Sequence, residues 1–345
     1  MQHVAIDLGG RESQICVRNA KGKVIEEKRC STVKLGKFLE GRRKSRVVME
    51  TCAESFAVAS QAQKAGHEVR VVPGTLVRSL GVGARRLKND QRDARALSEV
   101  SCRIDLPTVH IKSESARELK TLCGMRNGLV RCRTKLINTV RGWLRMVLVT
   151  TASGSADNFT QRIRDTLQKR AIPIPSYVNR QLVAIEALTE QILAADQDIG
   201  QRSKADPQSE RLMTVPGVGP ITAAYFVATV DQPTRFPDAH QLESYLGLTP
   251  SENSSSERVR RGSITKASNG EMRWLLIQAC WSLWRTRPNH PMVKWAQQVA
   301  ERRGRSKAIV ALARKLSGIM YAMWRDGTDY DSHKTREPLR ENHRR

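Results

Sequence analysis

Aromatic side chains make up only 5% of this chain of 345 residues, and acids are outnumbered, with 34 Asp and Glu against 59 Lys and Arg. None of the seven cysteines (Cys16, Cys30, Cys52, Cys102, Cys123, Cys132, Cys280) forms a Cys-x-x-Cys pair. That absence argues against a zinc site, and the odd number argues against a disulfide framework. Reduced, mostly buried thiols are expected, as in cytoplasm. Apolar runs are short and broken by charge, so no membrane span is expected. The N-terminus enters "HVAIDLGG" without a charged-then-apolar leader, so no secretory signal is expected.

What the chain has instead is a formal net charge of +25 at pH 7, spread from Arg42, Arg43 and Lys44 to Arg302, Arg303 and Arg305. Charge on this scale favours a polyanionic partner, above all nucleic acid. Binding to an anionic membrane would call for a segment that pairs a basic face with a clean apolar one, and none is found.

The first stretch alternates short strands and helices. "HVAIDL" (3–8), "SQICVRN" (13–19) and "VIEEKRC" (24–30) read as an antiparallel meander with a turn at "AKGK". "LGKFLEGRR" has helical spacing, "RVVMET" (46–51) is an apolar strand, "SFAVASQAQKAG" is a helix closed by Gly66, and "HEVRVVP" (67–73) is another buried strand. From Thr75 to about Val100 the pattern is helical, broken at "GVGA". The order β-β-β-α-β-α-β-α predicts a mixed sheet with helices on its faces over residues 1–106. In such sheets chemistry collects at strand ends and helix starts.

Residues 107–205 predict a helical linker or oligomerisation arm, or equally a helical hairpin packed on its own domain. It holds two long amphipathic helices, the first with the stripe Leu119, Leu122, Leu129, Leu136 and Val140, and a loop at "TTASGSADN" between them. Residues 206–325 predict a second, mostly helical unit, in which Trp274, Trp281 and Trp284 share a helix face and are expected in the core. Residues 326–345 are polar and read as a flexible tail.

Three segments could carry chemistry. "RRLKNDQRDARAL" places Asp90 and Asp93 on one helical face among Arg85, Arg86, Lys88, Arg92 and Arg95. Surface ion pairing would explain it, at little energetic value. Yet Asp7 ends the first strand and Glu50 ends a central one, so four carboxylates can converge at one sheet edge. Like charges at contact raise one another's pKa values, and divalent cations relieve the conflict. One or two Mg²⁺ ions held there can clamp the attacking and leaving oxygens of a phosphodiester, with the neighbouring bases on the backbone phosphates. "TVPGVGPITAA" reads as a helix-hairpin-helix whose amides at Gly217 and Gly219 can face a phosphate, or as a tight interhelical turn. "GLTPSENSSSERVRRGSITKASNG" sets serines beside Arg258, Arg260, Arg261 and Lys266; a serine there could attack a phosphodiester, although serine-rich loops are commonly plain solvent loops.

Taken together, Asp7, Glu50, "KNDQRDA", "VPGVGP" and the serine–arginine stretch resemble the DEDD-type insertion-sequence transposases of the IS one-ten family, the bridge-RNA-guided recombinases. "ENSS" with its arginine run and "RVVPGTLVRSLGVGARRLKNDQRDA" are most similar to the IS eleven-eleven subgroup. The resemblance spans about residues 3–325, and its motifs are weak singly and specific in combination. It implies a RuvC-like (RNase H-fold) first domain with Asp7, Glu50, Asp90 and Asp93 as magnesium ligands. It also implies a helical C-terminal domain whose serine becomes linked to a DNA 5′-phosphate. Spacing from "GLTP" and "ITK" puts that serine at Ser255, with Ser254 and Ser256 as rivals. The implied partners are element-end and target DNA, a structured noncoding guide RNA, and further copies of the chain, from dimer to tetramer, in the cytoplasm of a bacterium and on its nucleoid when DNA-bound. Gly9 and Gly10 stand where the family often has a small residue and a lysine, Ser256 where it usually has glycine, and "KND" replaces "KTD".

Three other classes share parts of this sequence pattern. A RuvC-like nuclease or junction resolvase would hydrolyse with water and need no serine. A sugar-kinase or actin-like ATPase would match "AIDLGG", but a second glycine-rich phosphate loop is missing from the sequence. A non-catalytic DNA scaffold would use the hairpin and basic helices alone.

Overall fold

Five strands organise the first 113 residues: β1 (Gln2–Asp7), β2 (Glu12–Arg18), β3 (Val24–Ser31), β4 (Ser45–Glu50) and β5 (Glu68–Val72). In this computed structural model, which describes residues 1–79, 90–252, 261–266 and 270–332, they form one sheet in the order β3-β2-β1-β4-β5. β1, β2 and β3 pair antiparallel, as the meander predicts, and β1, β4 and β5 pair parallel. Strands buried on both faces carry near-continuous apolar runs, and β1 and β4 do so with Val4, Ala5, Ile6 and Val47, Val48, Met49 fully buried. β3, at the edge, is charged instead (Glu26, Glu27, Lys28, Arg29), which blunts an open edge.

Helices cover both faces. On one side α1 (Leu35–Glu40) and α2 (Ser55–Lys64) pack Leu35, Leu39, Val58 and Ala59 against Val4, Ile6, Val47, Met49 and Val71. α2 stops where Gly66 turns left-handed at φ +82°. α3 (Gly74–Ser79) follows β5, and α4 (Asp90–Arg103) covers the other face, where Leu97 and Leu106 meet Ala5, Val48 and Val72. The chain past α4 stays with the sheet, since Val109 N donates to the Val71 carbonyl at 2.8 Å and Val71 N donates to Thr108 Oγ1 at 3.0 Å.

The second unit, Glu114–Arg345, is helical. α5 (Glu114–Met146) and α7 (Ser176–Ala205) run along each other, and α6 (Phe159–Lys169) closes one end with Phe159, Ile163 and Leu167 against Ile137, Val140 and Leu182. At the other end Cys123 and Ile199 enter a core shared with α8 (Pro207–Met213), α9 (Pro220–Val230), α10 (Ala239–Tyr245), α11 (Gly270–Thr286), α12 (Pro291–Arg303) and α13 (Arg305–Asp326). A two-stranded ribbon, β6 (Pro250–Glu252) with β7 (Arg261–Ile264), stands between α10 and α11. Among the described residues no helix is long and apolar enough to cross a membrane. The tail expected over 326–345 lies outside the described residues from position 333 onward.

The tryptophans divide. Trp281 and Trp284 pack on the core and are faced by the Arg305 guanidinium at 5.0 and 5.3 Å, but Trp274 is 52% exposed. The expectation that all three are core is corrected for Trp274. The aliphatic stripe Met272, Leu276, Ala279 and Leu283 takes the core-facing side of α11; Trp281, seven residues on, lies within about 20° of Trp274 round the helix, and what separates them is the Arg305 guanidinium that faces Trp281 and Trp284.

Candidate nucleic-acid site

Parallel pairing sets the geometry of the carboxylates. β1 and β4 are neighbours with Ile6 opposite Met49, so Asp7 and Glu50, one residue further on, end adjacent strands on the same sheet edge. Neighbouring strands lie about 4.8 Å apart. Side chains alternate across a sheet. Ala5 and Val48 pack on the α4 face and Ile6 and Met49 on the α2 face, so positions 7 and 50 both belong to the α4 face.

α4 brings the third acid to that edge. His3, near the start of β1, shares a 2.9 Å hydrogen bond with Ser101, near the end of α4, so the helix runs back along the strand toward Asp7. From Ser101 to Asp93 is eight helical steps, about 12 Å; from His3 to Asp7 is four strand steps, about 13 Å. The two acids therefore stand at nearly the same level. Asp93 precedes buried Leu97 by one turn, and position 90 precedes buried Ala94 by one turn, which sets both on the sheet-facing stripe. Asp90 is the first residue of α4, and its side chain lies outside what the structure describes. Among the described residues no three His, Cys, Asp or Glu side chains gather closely enough to enclose a metal ion. Asp7, Glu50 and Asp93 share an edge and a face without closing round a point.

The backbone makes room for this arrangement. A Cβ on Gly74, the first residue of α3, would lie 2.5 Å from Glu50 Oε1, so glycine leaves space for that carboxylate. Beside Glu50, both Thr51 N and Thr51 Oγ1 donate to the Val72 carbonyl at 2.9 Å. Another acid, Glu54, comes within 3.8 Å of where a Cβ on Gly10 would sit, in the turn after β1. Sequence reading passed over Glu54, which sits four residues after Glu50 at the start of α2 and so near the same edge.

α4 is strapped to the sheet by polar contacts that sequence patterning did not reveal. Arg18 Nε donates to Ser98 Oγ at 2.9 Å, and Arg95 forms a charge-assisted pair with Glu27 of β3. The Arg95 guanidinium holds the Glu27 carboxyl below its ordinary value of 4.5. A depressed carboxyl contributes stability above its unfolded pKa that is lost as pH falls through the folded one. Glu27→Gln is therefore expected to melt below wild type at pH 7, with the gap closing between about pH 5 and pH 3. Thermal unfolding of both proteins across that range measures it; a gap that does not change with pH would contradict it.

Of the bases assigned to phosphate contact, Arg85, Arg86 and Lys88 lie outside the described residues. In the hairpin, Gly217 is left-handed at φ +88°, and a Cβ there would stand 2.8 Å from the Ala279 carbonyl of α11. Packing against α11 thus explains Gly217. Gly219 caps α9 with nothing within 4 Å of a built Cβ and no side-chain cap, so that helix start opens outward.

Ser254, Ser255, Ser256, Arg258 and Arg260 lie outside the described residues, in the link between β6 and β7. The strands themselves differ from the loop read in the sequence. Pro250 pairs with Ile264 and Glu252 with Arg261, while Thr265 N donates to the Thr249 carbonyl at 2.9 Å. Arg261 opens β7, its side chain outside what is described. Lys266, at φ +52°, is exposed, and its carbonyl accepts from Arg273 at 3.4 Å.

Comparison with known proteins finds the chain similar to transposases. Residues 4–148 match a transposase family model of the DEDD, IS110 type, and residues 209–293 match the model described as transposase IS116/IS110/IS902 family. The chain is 30% identical over 321 residues to the candidate transposase y4pF/y4sB of Sinorhizobium fredii, covering 90% of this chain and 81% of the relative. It is 29% identical over 336 residues to the transposase for insertion sequence element IS1111A of Coxiella burnetii, covering 93% and 88%. With the transposase for insertion sequence element IS1328 of Yersinia enterocolitica it shares 26% identity over 332 residues, covering 94% and 97%.

Proposed function

The chain belongs to the IS110/IS116/IS902 family of DEDD transposases, and from that premise we propose that its sheet edge and its β6–β7 ribbon cooperate in serine-linked DNA strand exchange. As a transposase it is an enzyme acting on DNA. In our reading the first unit is an RNase H-like, RuvC-like domain. Asp7, Glu50, Asp90 and Asp93 would hold one or two Mg²⁺ ions, and their all-oxygen donor set suits a hard cation. Bound there, the metal would supply Lewis-acid stabilisation of the phosphodiester oxygens. The observation that carries the reading is the pairing of β1 with β4, which sets Asp7 and Glu50 at adjacent strand ends on the face that α4 covers with Asp93.

The protein's own groups do the rest. Ser255 Oγ attacks the scissile phosphorus; its O–P bond forms as the bond to the DNA 3′-oxygen breaks, and that oxygen leaves with the electron pair and takes up a proton. The DNA 5′-phosphate is then held on serine. A 3′-hydroxyl from another strand reverses the step, re-forming DNA and freeing the serine, so bond energy is conserved. Arg85, Arg86, Lys88, Arg258, Arg260, Arg261 and Lys266 neutralise phosphates, and the α9 start at Gly219 offers amides to the backbone. A structured noncoding RNA selects the DNA partners, and two to four copies of the chain assemble so that one copy's acids meet another's serine.

A second reading rests on the carboxylate edge alone: water-driven, RuvC-like hydrolysis that uses no serine. One assay separates the two. The full-length protein is incubated with element-end DNA and Mg²⁺, with or without the flanking noncoding transcript, and run on denaturing gels. A protein–DNA adduct that needs Mg²⁺ and the transcript is expected. Nicked DNA without adduct would favour hydrolysis, and no nicking under any condition would refute both.

A further inference from the structure

We propose that the groove between the second half of α5 and the start of α11 binds an unpaired DNA strand, with Trp274 as the surface on which a base stacks. The groove measures about 870 Å³, with Asn127, Arg131, Lys135 and Asn138 on its α5 wall and Glu271 and Trp274 on its α11 wall. The α5 residues recur at i, i+4, i+8 and i+11, so they form one helical face. Trp274 is 52% exposed there, whereas Trp281 and Trp284 further along α11 are faced by Arg305.

Charge identifies the occupant. Two bases, Arg131 and Lys135, line the groove, while Arg133 is buried and turns away to Asp157 and Thr189; from Asn127 to Met146 α5 carries no acid to oppose them. Glu271, the acid in the groove wall, is held by Arg131 and by the Tyr225 hydroxyl, which offsets its charge. A cationic face beside an aromatic ring and two amides fits a strand that exposes phosphates, base faces and base edges together. A duplex hides its base faces, and a protein partner calls for a more apolar groove centre than one tryptophan among amides and cations. The strand is DNA because the chain belongs to a transposase family, whose substrate is DNA. This last step rests on the transposase reading; the stacking site itself does not.

The test uses the full chain and fluorescence anisotropy with three labelled probes: an unpaired 20-nucleotide DNA, its duplex, and an RNA of the same sequence. Trp274→Ala is expected to weaken unpaired-DNA binding by about tenfold to a hundredfold, with duplex binding changed less than about twofold. Trp274→Phe keeps most of the affinity, and thermal unfolding of both variants matches wild type because the ring is exposed. Lys135→Glu weakens binding of unpaired DNA and lowers its salt dependence by about one unit of slope. Unchanged affinity in Trp274→Ala, an equal loss on duplex, or a loss confined to RNA would each overturn the proposal. Catalysis is scored separately. Strand binding lost in Trp274→Ala while wild type cleaves no DNA leaves the groove standing and removes the transposase step; cleavage intact with normal Trp274→Ala binding removes the groove alone.

Discussion

Asp7→Asn is expected to reduce DNA strand cleavage by at least about a hundredfold while leaving the fold and overall DNA affinity intact. The amide has the shape of the carboxylate, so a loss of activity reports charge and not packing. Glu50→Gln should behave alike, because the two residues end paired strands and face the same way. Arg18→Gln, which loosens α4 at Ser98 and leaves the acids untouched, should lose much less. Stability supplies a readout independent of catalysis. Without divalent ions the acids repel one another, so Asp7→Asn should unfold at or above the wild-type temperature in a chelator. Adding Mg²⁺ should raise the wild-type midpoint, since a ligand that binds only the folded state stabilises it by mass action, and should raise the variant's less. Cleavage within threefold of wild type, or an equal Mg²⁺ response in both proteins, would remove Asp7 from the site.

The edge that carries this prediction was legible because parallel strands buried on both faces leave an unambiguous apolar signature, and because "HVAIDL" and "RVVMET" each break from apolar to acidic at the strand end. What patterning missed follows from what it measures. α6 has Phe159, Ile163 and Leu167 spaced four apart, yet only these three buried apolar positions, too few to stand out after a polar loop. β6 and β7 contain three and four residues in a serine-rich, charged stretch, and their pairing depends on hydrogen bonds that composition does not encode. Trp274 shows the limit of face arguments. Three tryptophans near one side of a helix say nothing about which of them meets the core: smaller aliphatic residues took the core-facing side, Trp281 and Trp284 pack beside them, and Trp274 stays exposed. The straps on α4, through Ser98, Ser101 and Arg95, join residues 68 to 98 positions apart, far beyond the 14 residues of the helix, so they emerge only with the fold.

Ser255→Ala is expected to abolish the protein–DNA adduct, by at least about a thousandfold, as removal of a nucleophile does elsewhere. Ser254→Ala and Ser256→Ala should retain adduct within severalfold. Glu252 pairs with Arg261, and all three serines fall in sequence between those two residues, so each variant tests the same stretch. A general loosening would lower all three variants together; a nucleophile singles out one. A Ser255→Cys variant extends the test, because a thiolate can attack the same phosphorus and would restore a slower adduct that alanine cannot. The carboxylate edge remains intact in every serine variant, so Mg²⁺ should stabilise Ser255→Ala as it does wild type. If Ser255→Ala loses adduct but still nicks DNA, water is reaching the phosphorus at the acid edge and the chemistry is hydrolytic. If Ser254→Ala or Ser256→Ala alone loses adduct, the nucleophile is that residue, and the spacing from "GLTP" and "ITK" is one position out of register.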